Sequence, residues 1–249
     1  MELGLSGRLA LVTGASRGIG RAIAAGLVAE GARVILASRD PGKLHLAAQF
    51  LGAEGWVAVD LAKGDQLARL EEEVRRRFGD PEILIANSGG PPAGTAVEMD
   101  AAGWSRGCEE TLMPAVRLSR AFLPAMRQRG WGRIVHVTSV SVKQPVPNLV
   151  LSNAFRAAVT GFARTLATEV AAEGVTVNNV APGFTDTDRI RELHPDPEAL
   201  ARLTERIPAK RLAAPEEVAA AAVFLCGLPA AMITGQTLLV DGGAVGTLW

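Results

Sequence analysis

The stretch LALVTGASRGIG, residues 9–20, decides the fold of this chain. Its apolar run Leu9–Val12 is typical of a buried strand, and the amphipathic pattern Arg21–Glu30 is typical of a helix. In such a strand–loop–helix unit, three spaced glycines allow a tight turn, close approach of the backbone to a pyrophosphate, and close helix packing. A glycine-rich turn that binds nothing is the alternative. We predict a dinucleotide-binding loop made of Gly14, Ser16, Arg17, Gly18, Ile19 and Gly20.

The alternation of short apolar runs and longer helical patterns continues along the whole chain. The predicted strands are Leu9–Thr13, Arg33–Ala37, Trp56–Val59, Ile83–Ala86, Ile134–Thr138, Thr176–Val180 and Thr237–Val240. The predicted helices are Arg21–Glu30, Lys43–Phe50, Gln66–Phe78, Ala101–Met126, Asn153–Ala172 and Pro215–Leu225. Apolar strands that alternate with helices indicate a parallel sheet covered on both faces. The sequence therefore predicts an α/β fold, with residues 1–249 forming one Rossmann-like, doubly wound domain of about seven parallel strands flanked by helices.

Two interruptions in this alternation matter for function. Pro114 falls inside the helical pattern Ala101–Met126, where it removes a hydrogen bond and should kink the helix. It should also free the carbonyl of Glu110, close to position 111. Residues 185–211 contain three prolines and fit no strand, so we expect an excursion outside the sheet. Such an excursion is a candidate substrate lid.

Composition and charge exclude several classes of protein. The 26 basic and 26 acidic side chains balance, which gives no electrostatic reason to expect nucleic acid or an anionic membrane as partner. No apolar run is long enough to span a bilayer, and the N-terminus lacks the pattern of a signal peptide. Cys108 and Cys226 show no metal-binding or redox spacing, so we expect no metal site and reduced, buried thiols in a cytoplasmic protein.

The end of the second predicted strand bears on the choice of cofactor. A carboxylate at this point suits the ribose of NAD, whereas arginine suits the 2′-phosphate of NADP. Ser38 and Arg39 occupy the tip, and Arg17 in the glycine loop can reach the same region. Because guanidinium groups donate paired hydrogen bonds to phosphate, the sequence favours NADP(H) over NAD(H). Asp40 leaves room for NAD(H).

From Gly7 to Gly243 the chain resembles the short-chain dehydrogenase/reductase superfamily, and it is most similar to β-ketoacyl-[acyl-carrier-protein] reductases. The resemblance rests on TGASRGIG at residues 13–20, on ILIANSG at residues 83–89, and on the C-terminal segment Ile233–Gly243. It implies hydride transfer to or from a carbonyl or alcohol of a small-molecule or acyl-thioester substrate, and a homotetramer. It also implies further cofactor contacts from Asp60, Leu61, Asn87, Gly89, Arg156, Pro182, Gly183, Thr185 and Thr187.

The catalytic positions depart from the family pattern. Ser139 matches the catalytic serine, but the tyrosine, lysine and asparagine positions fall on Ser152, Arg156 and Thr111. The chain contains no tyrosine at all. A serine hydroxyl is a much weaker acid than a phenol, and arginine holds its proton too tightly to relay it. Loss of a positioned general acid typically costs about 10²–10⁴ in rate.

These departures leave several interpretations open. The first is an NADP(H)-binding oxidoreductase whose proton comes from water, Ser152 or His194; the second is a redox-silent nucleotide-binding sensor or scaffold. Ser139, Ser152 and Arg156 could instead form an anion-binding cluster, and Ser139 with Lys143 could form a serine–lysine pair. His136 lies in an apolar strand and is predicted to be a satisfied core or rim residue.

Overall fold

The computed structural model describes residues 1–247 and contains one sheet of seven parallel strands. The strands are β1 (Leu9–Thr13), β2 (Arg33–Ser38), β3 (Gly55–Ala58), β4 (Ile83–Ala86), β5 (Gly132–Val137), β6 (Val175–Pro182) and β7 (Thr237–Val240). They lie in the order β3-β2-β1-β4-β5-β6-β7. This order reverses direction between β1 and β4, and ligands of such sheets bind outside the carboxyl ends of the strands at this point. The predicted fold class is confirmed.

Helices cover both faces of the sheet. They are α1 (Gly18–Ala29), α2 (Pro41–Leu51), α3 (Gly64–Phe78), α4 (Ala101–Gly107), α5 (Met113–Arg129), α6 (Val150–Val170), α7 (Asp188–Leu193), α8 (Pro197–Glu205) and α9 (Pro215–Cys226). One core cluster packs α1, α2 and α9 against the sheet, and the other packs α3, α5 and α6 against the opposite face. Strands buried on both faces explain the continuous apolar runs of the sequence.

Two helix starts differ from the predicted bounds in ways that affect the site. Helix α1 begins at Gly18, three residues before the predicted start, so its first turn includes two of the loop glycines. Helix α6 begins at Val150, also three residues early, so Ser152 lies inside the first turn of the helix rather than before it. Helix bounds are the least certain part of a pattern-based prediction, because capping rather than periodicity sets them.

The predicted long helix Ala101–Met126 is divided by a π-helical turn, Cys108–Leu112, which joins α4 to α5. The expected disturbance near Pro114 is therefore present, but it takes the form of one wide turn. The N–H of Met113 donates to the carbonyl of Cys108, which is the five-residue spacing of a π-helix. Pro114 lacks the N–H that an α-helix would need next. π-Turns inside α-helices occur frequently at functional sites.

Residues 185–211 form the expected excursion outside the sheet, and most of it is helical. Asp196 caps α8 by accepting hydrogen bonds from the N–H groups of Glu198 and Ala199, and Pro197 occupies the first helical position. In this segment a proline thus begins a helix, in addition to interrupting the strand pattern of the sequence. Whether the segment closes over a substrate stays a prediction.

The structure of the described residues also bears on two expectations from the sequence, that the chain has no membrane span and no metal site. None of its helices combines the length and the apolar character that crossing a bilayer requires. Within residues 1–247, no three His, Cys, Asp or Glu side chains gather as a set of metal ligands. Both cysteines are free thiols, and Cys226 is buried as expected whereas Cys108 is only partly buried.

Candidate active site

The glycine loop makes a tight turn at the start of α1. Gly14 and Gly18 adopt left-handed backbone conformations with φ of +60° and +55°. A Cβ atom on Gly14 would approach the side-chain nitrogen of Asn87 to 2.6 Å, and one on Gly20 would collide with the carbonyl of Gly14. Arg17 precedes the helix without a side-chain cap, so the first N–H groups of α1 are not satisfied by that side chain. Such a helix start suits a phosphate group.

Asn87, just beyond β4, fixes the position of this loop. Its N–H donates to Thr13 Oγ1 at 3.0 Å, and that hydroxyl donates to the carbonyl of Asn87 at 2.9 Å. The side-chain Nδ2 of Asn87 donates to the carbonyl of Gly14 at 3.4 Å. The ends of β1 and β4 are therefore tied together at the point where the sheet order reverses.

The tip of β2 presents unused polar groups. Ser38 is 8% exposed, and its hydroxyl has no partner within residues 1–247. Arg39 is exposed, and its guanidinium makes no ion pair in the described part of the chain. Asp40, by contrast, caps α2 by accepting from the N–H of Lys43 at 3.0 Å. That hydrogen bond lowers the pKa of the Asp40 carboxyl. The carboxylate that left room for NAD(H) thus has a local structural role.

Arg17 connects the glycine loop to helix α7 of segment 185–211. Its Nη1 donates to Asp188 Oδ2 at 2.7 Å, and its Nη2 lies 3.7 Å from Glu192 Oε1. All three side chains are about half exposed. Thr187 lies over the loop as well, because a Cβ on Gly18 would touch its methyl group at 3.4 Å.

The other predicted cofactor residues lie at the carboxyl ends of the strands. Asp60 and Leu61 follow β3, and Asp60 Oδ1 accepts from the N–H of Ala62 at 3.1 Å. Pro182 ends β6, and Gly183 donates its N–H to the carbonyl of Val240 at 2.9 Å. The hydroxyl of Thr185 donates to the carbonyl of Gly183 at 3.2 Å. These positions share one edge of the sheet with the glycine loop.

Arg156 is a buried cation at the end of β5. Its Nη1 donates to the carbonyl of Val137 at 2.8 Å, and its Nη2 donates more weakly to the carbonyl of Gly89 at 3.4 Å. The residue is only 8% exposed. Burial, together with the positive charge of Arg189, lowers the pKa of Arg156 to about 10. The group is still protonated near neutral pH, so the site carries a fixed positive charge.

Two serines lie close along the chain to Arg156 or to the carbonyl that it contacts. Ser139 comes two residues after the Val137 carbonyl that Arg156 contacts, and its Oγ accepts from the N–H of Ser141 at 3.1 Å. Ser152 precedes Arg156 by four residues on α6, which places both on one face of the helix. Ser152 is 9% exposed, and up to residue 247 nothing hydrogen-bonds to its hydroxyl. The two serines do not bond to each other.

Thr111 and Arg156 line one small cavity between the π-helical turn and the strand ends. The cavity measures about 10 Å³ and is bordered also by Asn87, Ser88 and Pro114. The Thr111 hydroxyl is buried, with no partner in the described part of the chain. A space of this size holds about one water molecule. The structure therefore brings the predicted Thr111 and Arg156 together.

The remaining candidates lie apart from this cluster. Lys143 is exposed, and because Ser139 Oγ instead accepts from Ser141, the serine–lysine pair gains no support. His194 caps the C-terminal end of α7 in segment 185–211, where its N–H donates to the carbonyl of Ile190 at 2.9 Å.

His136 is fully buried in β5, as predicted, but the expectation that it is satisfied was wrong. Neither ring nitrogen has a hydrogen-bond partner within residues 1–247. The imidazole packs edge-on against the ring of Phe162, with 6.1 Å between the two ring centroids. Burial lowers the pKa of this imidazole to about 4, so the ring is neutral near pH 7.

Two residues of α7 escaped the sequence reasoning. Asp188 pairs with Arg17 across 171 positions of sequence, and Arg189 donates to the carbonyl of Pro91 at 2.8 Å across 98 positions. No motif surrounds either residue, and nothing local in the sequence reports a contact over such a distance. Only the folded structure of segment 185–211 reveals that both reach the candidate site.

Comparisons with known proteins agree with this geometry. Residues 14–245 match a family model described as enoyl-(acyl carrier protein) reductase. The Escherichia coli 3-oxoacyl-[acyl-carrier-protein] reductase FabG is 38% identical over 242 residues, which cover 97% of this chain and 98% of that protein. An L-sorbose reductase from Gluconobacter frateurii, solved with NADPH and L-sorbose, superposes with a TM-score of 0.94 at 38% identity over the whole of both chains. A putative NAD(P)-dependent gluconate 5-dehydrogenase from Beutenbergia cavernae, solved with NADP, is 37% identical with a TM-score of 0.93 over 99% of this chain and 100% of that chain.

Proposed function

The chain belongs to the short-chain dehydrogenase/reductase family, and from that premise we propose that it is an NADPH-dependent reductase of carbonyl compounds, 3-oxoacyl-like in substrate, with an altered proton source. The observation that carries the proposal is the tight glycine turn at the switch point of the sheet, where Asn87 holds Gly14 and where a side chain at Gly14 or Gly20 would collide with Asn87 or with the Gly14 carbonyl. This turn leads directly into the first N–H groups of α1, which the Arg17 side chain does not cap and which suit a pyrophosphate.

The preference for NADP(H) rests on the tip of β2. Arg39 is unpaired in the described residues, and the neighbouring Ser38 hydroxyl has no partner there. Together they offer a charge-assisted donor and a hydroxyl to a 2′-phosphate. Asp40 is engaged as the cap of α2 and is less free to take a ribose hydroxyl. The L-sorbose reductase relative was solved with NADPH, which supports the same preference.

The reduced nicotinamide, when bound, supplies the hydride. The chain's own residues then position the carbonyl and stabilise the charge that develops on its oxygen. Arg156 supplies a fixed positive charge at the end of β5; Ser139 supplies a hydroxyl two residues after the carbonyl that Arg156 contacts, and Ser152 supplies one on α6. Because Arg156 and Ser139 are not good acids near neutral pH, the final proton comes from water, Ser152 or His194. We expect slower turnover than a positioned phenol would allow, by about 10²–10⁴.

Titration calorimetry with NADPH and NADH tests the proposal. The wild type should bind NADPH more tightly, and Arg39→Asp should weaken NADPH by about tenfold or more, because a charge-assisted contact becomes a repulsion. Arg76→Asp is the matched control, since Arg76 is also exposed but lies near the end of α3. Equal affinity of the wild type for both cofactors would remove the NADP(H) preference. NADPH oxidation with a panel of 3-oxo compounds then tests reduction itself.

A redox-silent sensor is the second candidate, and the absence of tyrosine favours it. Such a protein would bind NADPH tightly and reduce no carbonyl compound.

The first proposal, the reductase, also includes a lid role for residues 185–211, a cytoplasmic location and a homotetramer. The half-exposed edge strand β7, with Leu238 at 40% and the nearby Met232 at 95% exposure, supports an assembly through this edge.

A further inference from the structure

Arg156 is the buried cation of the candidate site, and no carboxylate neutralises it. A guanidinium has five N–H donors, and the two contacts of Arg156 are both to neutral backbone carbonyls. In the described part of the chain, no acidic side chain lies within ion-pair distance of it. Arg33, Arg127 and other surface arginines, by contrast, each pair with a glutamate or aspartate. Buried charges in proteins are normally paired, so this arrangement lacks a negative group.

A second guanidinium adds to the positive charge. Arg189 on α7 donates to the carbonyl of Pro91, and its charge contributes to the lowered pKa of Arg156. A Cβ on Gly90 would come within 3.1 Å of Arg189 Nε, so a glycine at this position leaves room for the Arg189 side chain to pack against the loop. Its only carboxylate neighbour in residues 1–247 is Glu192, at 3.8 Å on the helix surface. Arg156 and Arg189 thus hold the two ends of segment 89–91.

The hydroxyls around Arg156 do not supply the missing charge. Ser152 stands where a phenol could ionise beside the cation, but an aliphatic hydroxyl does not ionise at neutral pH. The Thr111 hydroxyl is buried and unpartnered in the described chain, and it lines the same cavity as Arg156. Among the described residues, the region therefore offers several hydrogen-bond donors and two guanidinium charges, offset only by Glu192 on the surface of α7.

We propose that the substrate brings this negative charge: the site takes an oxo acid whose free carboxylate lies near its reacting carbonyl and is bound by Arg156 and Arg189. The inference rests on the proposed carbonyl reduction. A guanidinium binds carboxylate through paired hydrogen bonds, which also fixes the orientation of the carbonyl. The carbonyl carbon gains a hydride from the reduced nicotinamide, the C=O electron pair moves to oxygen, and water protonates that oxygen. The carboxylate passes through unchanged.

Acetoacetate and methyl acetoacetate form the test pair, because they share the 3-oxo group and differ in charge. With the NADPH-loaded wild type, kcat/KM for the acid should exceed that for the ester at least tenfold. Arg189→Gln should raise the KM for acetoacetate several-fold more than it raises the KM for the ester. Arg191→Gln is the matched control, since Arg191 lies on the same helix but pairs with Asp186 at 2.6 Å. Equal kcat/KM for acid and ester would overturn the inference while leaving the reductase proposal intact.

A binding measurement separates this inference from the proposed activity. Malonate cannot be reduced, so it reports the carboxylate site alone; it should raise the Tm of the NADPH complex, whereas neutral malonamide should not. The rise should shrink in Arg189→Gln and persist in Arg191→Gln. If neither oxo compound is reduced but malonate acts in this way, the reductase proposal fails and the anion site stands. If chloride stabilises the complex as strongly as malonate at equal concentration, the site binds small anions in general and the oxo-acid assignment is wrong.

Discussion

The buried, unpartnered His136 makes the stability of the protein depend on pH. Burial lowers the pKa of its imidazole to about 4 in the folded state, against about 6.5 in an unfolded chain. A lowered pKa means that the unfolded state binds the proton first, so the stabilising contribution is complete above pH 6.5 and is lost as pH falls towards 4. From these two pKa values, the free energy of unfolding should fall by about 2 kcal/mol between pH 8 and pH 5 on account of this residue alone.

Urea unfolding at pH 8, 6.5 and 5, at one protein concentration, measures this loss. His136→Met fills the space without a titrating group, and its loss between pH 8 and pH 5 should be about 2 kcal/mol smaller than that of the wild type. His45→Gln is the control, because His45 is exposed on α2, and it should keep the wild-type loss. If wild type and His136→Met lose the same stability, or if NMR shows His136 protonating above pH 6, the reasoning is refuted.

Three further predictions concern the site and the assembly. Ser152→Tyr together with Arg156→Lys should raise the turnover of 3-oxo thioesters by up to about 10², and either change alone should help less, because residues that act as a unit are non-additive. Loss of a robust native activity in the double variant, measured by steady-state NADPH oxidation, would show instead that the present pair is itself catalytic. Asp188→Asn should tighten NADPH binding a few-fold in calorimetry, since it releases Arg17 from a 2.7 Å ion pair; unchanged affinity would mean that Arg17 does not contact the cofactor. Light scattering at micromolar concentration should give about four times the 26.0 kDa chain mass, and a monomer would rule out the assembly through β7.

Features of the fold that depend on local sequence could be predicted. The glycine spacing at 14, 18 and 20, placed between an apolar run and a helical pattern, located the switch point of the sheet, because strand burial and loop geometry are both local properties. The bounds of β1 and β4 agree with the prediction to the residue, since turn residues flank both strands. The helices of segment 185–211 were not predicted, because capping by Asp196 and Pro197, rather than a long apolar period, begins α8.

Features that depend on distant contacts could not be predicted. The family resemblance predicts that Ser139, Ser152, Arg156 and Thr111 belong to one site, but it gives no indication that Arg156 would lack a carboxylate or that Arg189 would approach it. The partners of Arg156 are carbonyls 19 and 67 positions away in sequence. The sequence of α6 contains no information about the register of β5 or about the course of the loop after β4. The charge balance of the site is therefore a property of the fold.

The π-helical turn at Cys108–Leu112 has a consequence for insertions and deletions. The buried positions through α4 and the turn recur at a constant interval of four, at Gly103, Gly107, Thr111 and Ala115. An unbroken α-helix would drift away from such an interval, and the one extra residue of the wide turn absorbs the drift. Deleting a residue here would restore an ordinary helix but rotate α4 by about 100° relative to α5. Gly107, whose missing side chain makes room for Phe155 and Leu151, would then leave the α6 interface. Length, more than residue identity, is what this segment has to keep.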